Sequence, residues 1–148
     1  MKNILVALEM GPADSVLFNT ALSLAKATGA RLSLLHVAPP EPDFVGFEVG
    51  PTYVRDHLAA TLRSDHRHIQ ALAERSTGTG VETIGRLVQG PTVETLLQEA
   101  AELPADLVVL GSRGHGTLYK AFLGSVSDGI LKARKCPVLV VPINDTGA

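Results

Sequence analysis

The chain reads as an α/β domain, a doubly wound parallel sheet with helices on both faces. Three observations predict this class. Short, nearly continuous apolar runs such as Ile4–Leu8 and Leu107–Leu110 suit strands buried on both faces, not half-exposed antiparallel ones. Segments with apolar residues at spacings of three and four alternate with these runs, giving the order β-α-β-α-β-α-β-α-β. A glycine-rich turn, Gly111-Ser112-Arg113-Gly114-His115-Gly116, directly follows one apolar run, and Gly124-Ser125-Val126-Ser127 stands just before a helix. Such a turn presents several backbone N–H groups in one concavity, and the second pair adds donors at a positive helix end. Together they describe an anion site, foremost for the phosphates of a nucleotide.

The elements follow in order. Ile4 to Leu8 is the first strand, and Gly11-Pro12-Ala13-Asp14 turns the chain. Asp14 or Ser15 is suited to cap a helix running to about Thr28, whose buried face carries Leu17, Ala21, Leu24, Ala25 and Thr28. Gly29 stops it. Arg31 to Val37 is the second strand, ended by Pro39 and Pro40. The stretch Pro39 to Pro51 holds Phe44, Val45 and Phe47 among prolines and glycines and reads as a long loop or lid. A long helix covers Tyr53 to Ser76, with Val54, Leu58, Leu62, Ile69, Leu72 and Ser76 on one side.

Val81 to Val88 is the third strand, interrupted by Gly85. Gly90-Pro91 suits the entry of the next helix, because proline at the first helical position gives up an N–H that would be unpaired anyway. Val93, Leu96, Leu97 and Ala100 are its buried side, and Pro104 ends it. Leu107 to Leu110 is strand four, Val126 to Ala133 the last helix, and Pro137 to Val141 strand five. In such sheets ligands sit beyond the carboxyl ends of the strands, where strand order reverses. The Gly111 turn and Glu9 both follow strands, so both belong to that edge.

Composition narrows the function classes. The 148 residues fit one domain spanning 1–148, with the Pro-rich loop 39–51 inside it. A net charge of −2 and dispersed Lys and Arg give no basic stripe, so no nucleic-acid partner is expected. No run approaches the ~20 apolar residues of a membrane span, and the first apolar segment closes at Glu9, too short for a secretory signal. A cytoplasmic protein with no membrane partner is the expectation. The single cysteine, Cys136, precludes an intrachain disulfide or a multi-cysteine metal site.

The chain resembles the universal stress protein family over nearly its whole length. The family's nucleotide motif is Gly, two residues, Gly, nine residues, Gly, then Ser or Thr, and Gly111, Gly114, Gly124 and Ser125 match it without a gap. Ile4-Leu5-Val6-Ala7, Leu35-His36-Val37, Leu123-Gly124-Ser125-Val126-Ser127 and Cys136-Pro137-Val138-Leu139-Val140-Val141 match the surrounding words. The resemblance implies a five-stranded parallel sheet of order 3-2-1-4-5. It also implies a homodimer through the last strand, Val138–Val141, whose bare apolar edge gives a physical reason for pairing.

For the ATP-binding branch of the family, the resemblance implies a site on this chain. Ala7 lines the base, Glu9 stands where an Asp holds the ribose, and Val37 frames the adenine. Gly111, Arg113 and Gly114 lie around ribose and phosphate, and Gly124, Ser125, Val126 and Ser127 cradle the triphosphate. The implied ligand is ATP, or ADP or AMP, with Mg²⁺ carried by the phosphates. Backbone N–H groups and the Ser125 and Ser127 hydroxyls are suitable donors. Glu9 and Met10 depart from the family's Asp-Gly pair, adding a methylene and a bulky side chain beside the pocket.

Other residues point less directly. His115 sits in the glycine turn without a nucleophile partner in the sequence, and Ser112 with His115 makes no triad. Asp106 reads as a strand start and Asp128 as a favourable first-turn acid. His66 and His68 are two apart on a helix and face different ways, while His36 reads as a packing residue of its strand. No protein-built metal site and no catalytic residue is expected. The expected function is nucleotide binding as a regulatory signal in a stress response, with slow or no hydrolysis. A weak ATPase or phosphotransferase and a nucleotide-independent interaction protein are the alternatives.

Overall fold

A computed structural model describes residues 1–39, 52–112 and 124–144. Along the chain run β1 (Asn3–Ala7), α1 (Ala13–Thr28), β2 (Arg31–Ala38), α2 (Thr52–Glu74), β3 (Thr83–Gln89), α3 (Thr92–Glu102), β4 (Leu107–Gly111), α4 (Ser125–Ala133) and β5 (Val138–Val141). The strands form one sheet ordered β3-β2-β1-β4-β5, and every neighbouring pair is parallel. The expected fold class and strand order are both present.

Strand parity divides the core. Ile4 and Val6 of β1, Leu32 and Leu34 of β2 and Val109 of β4 meet Leu17, Phe18 and Ala21 of α1 and Ile69 and Leu72 of α2. Leu5, Leu35, Val37, Val108 and Leu110 point the other way, onto Leu96 and Ala100 of α3 and Ile130 of α4. Successive strand residues thus alternate between two buried layers, which is why these strands read as unbroken apolar runs.

Gly29 ends α1 as expected. It sits in the left-handed region at φ 76°, and its N–H donates to the Ala25 carbonyl. Three sequence expectations are corrected. Asp14 does not cap α1: the helix begins at Ala13, and the Asp14 carboxylate reaches back to the turn after β1 instead. The long helix stops at Glu74 and not at Ser76, because tight i→i+3 bonds from Arg75, Ser76 and Thr77 lead into a turn with Gly78 and Gly80 at positive φ. Strand three therefore starts at Thr83.

Gly85 is likewise no break in β3. It pairs in register with Leu34, and a Cβ there would stand 2.5 Å from Ile69 Cγ2 of α2. The glycine lets a helix lie close on the sheet.

Candidate functional site

Strand order reverses between β1 and β4, since the chain winds from β1 to β3 in one direction and places β4 and β5 on the other side. A cleft of about 480 Å³ opens there, past the carboxyl ends of β1, β2 and β4. Its volume lies in the range of small-molecule sites, about 300–1,000 Å³.

Of the residues the sequence assigned to the site, Ala7, Glu9, Val37, Gly111, Val126 and Ser127 line this cleft. Gly124 and Ser125 stand at the start of α4, outside that lining. Arg113 and Gly114, like His115 and loop residues 40–51, lie outside the described residues.

Gly111 closes β4 where Glu9 leaves β1. A Cβ on Gly111 would come within 2.8 Å of Glu9 Oε1 and 2.9 Å of Ile143 Cγ1, so the missing side chain is what lets the Glu9 carboxylate lie against the β4 exit. The next residue knits three segments together. Ser112 N–H donates to the Val141 carbonyl, its own carbonyl accepts from Gly124 N–H at 2.9 Å, and its Oγ accepts from Ile143 N–H.

These bonds revise two of the expected phosphate donors. Gly124 N–H is spent on Ser112. The buried Ser127 hydroxyl donates to the Gly111 carbonyl at 2.8 Å, tying α4 to β4. What remains for an anion is the helix start itself. Asp128 N–H makes the first α-helical bond, back to Gly124 O, so the N–H groups of Ser125, Val126 and Ser127 have no acceptor within the helix. The N-cap residue, Gly124, has no side chain with which to cap this helix start.

On the other side of the cleft, the turn after β1 is held by Asp14. This fully buried carboxylate accepts from Glu9 N–H at 2.7 Å, from Met10 N–H at 2.9 Å and from His68 Nε2 of α2 at 2.8 Å. Met10 has φ 63°, the left-handed backbone that favours glycine. This explains in backbone terms why a glycine suits the position, and Asp14 is what holds a methionine there. His36 is corrected from a packing residue to a wall of the cleft, with Nδ1 3.2 Å from the Leu8 carbonyl. Asp65 and Thr61 of α2 join it. Sequence reading assigned none of these three to the site.

The remaining candidates have other partners. Asp106 accepts from the backbone N–H groups of Lys2 and Asn3, which hold its carboxyl below the ordinary aspartate value of 3.8. Asp128 pairs with Lys132 one turn on, at 2.9 Å. Burial pushes the Cys136 thiol above the ordinary value of 9.0, which withholds the thiolate that a redox sensor needs. Among the described residues no three His, Cys, Asp or Glu side chains gather as a metal set, and no helix is long and apolar enough to cross a membrane.

A parallel sheet covered on both faces, with a cleft and a helix start at its switch point, defines a doubly wound α/β domain. The model of the universal stress protein family matches residues 1–142, and the chain belongs to that family. A universal stress protein encoded in the QAH/OAS sulfhydrylase 3′ region of Thermus aquaticus is 37% identical over 117 residues, covering 79% of this chain and 81% of its own. Among solved structures, a family protein from Burkholderia pseudomallei is 30% identical with a TM-score of 0.72, covering 96% of both chains.

Two more distant structures share the fold. An Arabidopsis thaliana family protein described with AMP bound is 21% identical with a TM-score of 0.68, covering 98% of this chain and 94% of its own. A universal stress protein described in complex with cAMP is 24% identical with a TM-score of 0.65, covering 95% and 96%.

Proposed function

We propose that this universal stress protein binds an adenine nucleotide in the cleft at the β1/β4 switch point and uses its occupancy as a regulatory signal. The observation that carries the reading is the joining of a cleft of small-molecule size to the start of α4, whose N-cap residue is Gly124. The cleft offers apolar walls to a base, through Ala7, Val37 and Leu110, and the Glu9 carboxylate to a ribose. The N–H groups of Ser125, Val126 and Ser127, which have no acceptor within the helix, are suited to phosphate. AMP and cAMP in proteins of the same fold support the ligand class.

In its finer form the ligand is ATP, with ADP or AMP as relatives, and Mg²⁺ arrives on the phosphates. Arg113 and Gly114 complete the ribose and phosphate surroundings in this reading. Binding proceeds with slow or no hydrolysis, because phosphoryl transfer to water needs a residue that orients the water, and none is assigned. The active form is a cytoplasmic homodimer joined through the β5 edge, Val138–Val141.

The test is the nucleotide content of protein purified without added ligand, read by denaturation and chromatography, then calorimetric titration with Mg-ATP. Copurified or titrating adenine nucleotide, without steady phosphate release, is the expected result. A protein indifferent to ATP, ADP and AMP would overturn the binding reading. Rapid turnover would overturn the signalling one. Light scattering across micromolar concentrations should give twice the chain mass if β5 pairs.

A further inference from the structure

The cleft has a polar wall on its α2 side that the anion cradle leaves unused. His36 of β2 and Asp65 of α2 both line it. His36 Nδ1 faces the Leu8 carbonyl at 3.2 Å. A carbonyl oxygen only accepts, so Nδ1 carries the hydrogen, and a neutral ring then turns the Nε2 lone pair outward. That Nε2 lies 3.9 Å from Asp65 Oδ2, and a carboxylate also only accepts.

The separation is too long for a direct hydrogen bond, which spans about 2.7–3.2 Å. With the ring neutral, two acceptors therefore face each other across a gap, with side chains only 16% and 20% exposed. Acceptors so far withdrawn from water are costly to leave unmatched. A single nitrogen bearing two hydrogens serves both at once. A carbonyl oxygen in the same place meets two lone pairs and gains nothing.

We propose that His36 and Asp65 form an acceptor pair that reads an amino group on the ligand. Resting on the nucleotide reading above, the pair selects a 6-aminopurine over a 6-oxopurine. Specificity for the base then comes from α2 and β2, while affinity for the phosphates comes from the start of α4. The two halves of the cleft do separate chemistry.

The experiment titrates the full chain with AMP and with IMP, which differ at the purine 6-position, at about pH 8, above the ordinary range of imidazole protonation. The intact protein is expected to favour AMP by about tenfold or more, the worth of one matched hydrogen bond against a mismatched one. Asp65→Asn replaces an acceptor by an amide that also donates, so the preference should fall below about threefold or reverse. His36→Asn keeps a donor for the Leu8 carbonyl and removes Nε2, and it should also lower the ratio.

Each ratio is taken within one protein, so a variant that folds poorly loses both ligands alike and leaves its ratio readable. Equal affinities in the intact protein, or a preference unmoved by both variants, overturn the acceptor pair and leave the nucleotide reading standing. Failure of both nucleotides to bind the intact protein overturns that reading and this inference with it.

Discussion

Strand β1 is pinned at both ends by the same device, under opposite conditions. At its start, Asp106 accepts two successive backbone N–H groups, from Lys2 at 2.6 Å and Asn3 at 2.8 Å. Past its end, Asp14 accepts two successive N–H groups as well, from Glu9 and Met10. Asp106 does this on the surface, whereas Asp14 is 0% exposed. The buried copy has a third partner, His68.

The difference separates a structural fastening from one that shapes a site. If Asp106 is lost, water replaces it on Lys2 and Asn3. If Asp14 is lost, the Glu9 and Met10 N–H groups are left part-buried without their acceptor, and the turn that carries those residues into the cleft loses its template. A buried carboxylate persists only where every partner is in place.

The largest effect should come from Asp14→Ala. It strands two part-buried backbone N–H groups and removes the partner of His68, and a loss of about 3 kcal/mol in chemical denaturation is expected. Adenine-nucleotide affinity should fall with it, because the Glu9 turn is released. A loss below about 1 kcal/mol would show that water does reach the turn and would break the contrast with Asp106.

His68→Ala probes the third partner alone. The side chain is 40% exposed, so its bond to Asp14 should be worth only about 1 kcal/mol after solvent screening. The more telling readout is amide exchange at Glu9 and Met10. Protection there should drop in the alanine variant and return in His68→Gln, whose amide can donate to the same carboxylate. Unchanged protection would make His68 a bystander and leave Asp14 sufficient by itself.

Met10→Gly isolates the backbone cost of the buried end. Glycine relieves the positive φ by about 1 kcal/mol, while the partly buried methionine side chain loses a similar amount of packing. Stability should therefore stay within about 0.5 kcal/mol of the parent. Nucleotide affinity should rise severalfold in calorimetry, because the side chain narrows the cleft it lines. Weaker binding would show that Met10 is a contact and not an obstruction.

The two ends also differ in how far the sequence disclosed them. Strand positions were legible because both sheet faces are buried, which leaves unbroken runs such as Leu107–Leu110 that few other structures need. The Gly111 turn and the start of α4 were legible because their chemistry is local: glycines, a serine and a helix start within a few residues. Asp14 was misread for the same reason. Local rules make an aspartate beside a helix start a cap, and its actual partners include a histidine 54 residues away.

His36 and Asp65 meet only through the packing of α2 on β2, a tertiary event with no periodic signature. Gly85 looked like an interruption because spacing along a strand does not show that Ile69 occupies the place of its side chain.

The smallest effect belongs to Asp106, and pH rather than mutation size reveals it. Its two backbone donors lower the carboxyl below the ordinary 3.8, so the folded state binds its proton less readily than the unfolded chain does. By linkage, the stabilisation is complete above the unfolded value and is lost as pH falls through the lowered native one. Denaturation midpoints measured from pH 5 down to about 2 should decline for the parent partly on this account. Asp106→Asn keeps one oxygen, which can accept both N–H groups as Oδ2 alone does in the parent, but it cannot titrate, so its decline should be shallower, with the two curves converging at the acid end. Parallel curves would mean that the surface fastening contributes nothing that pH can remove. The pinning of β1 would then rest on the buried end alone.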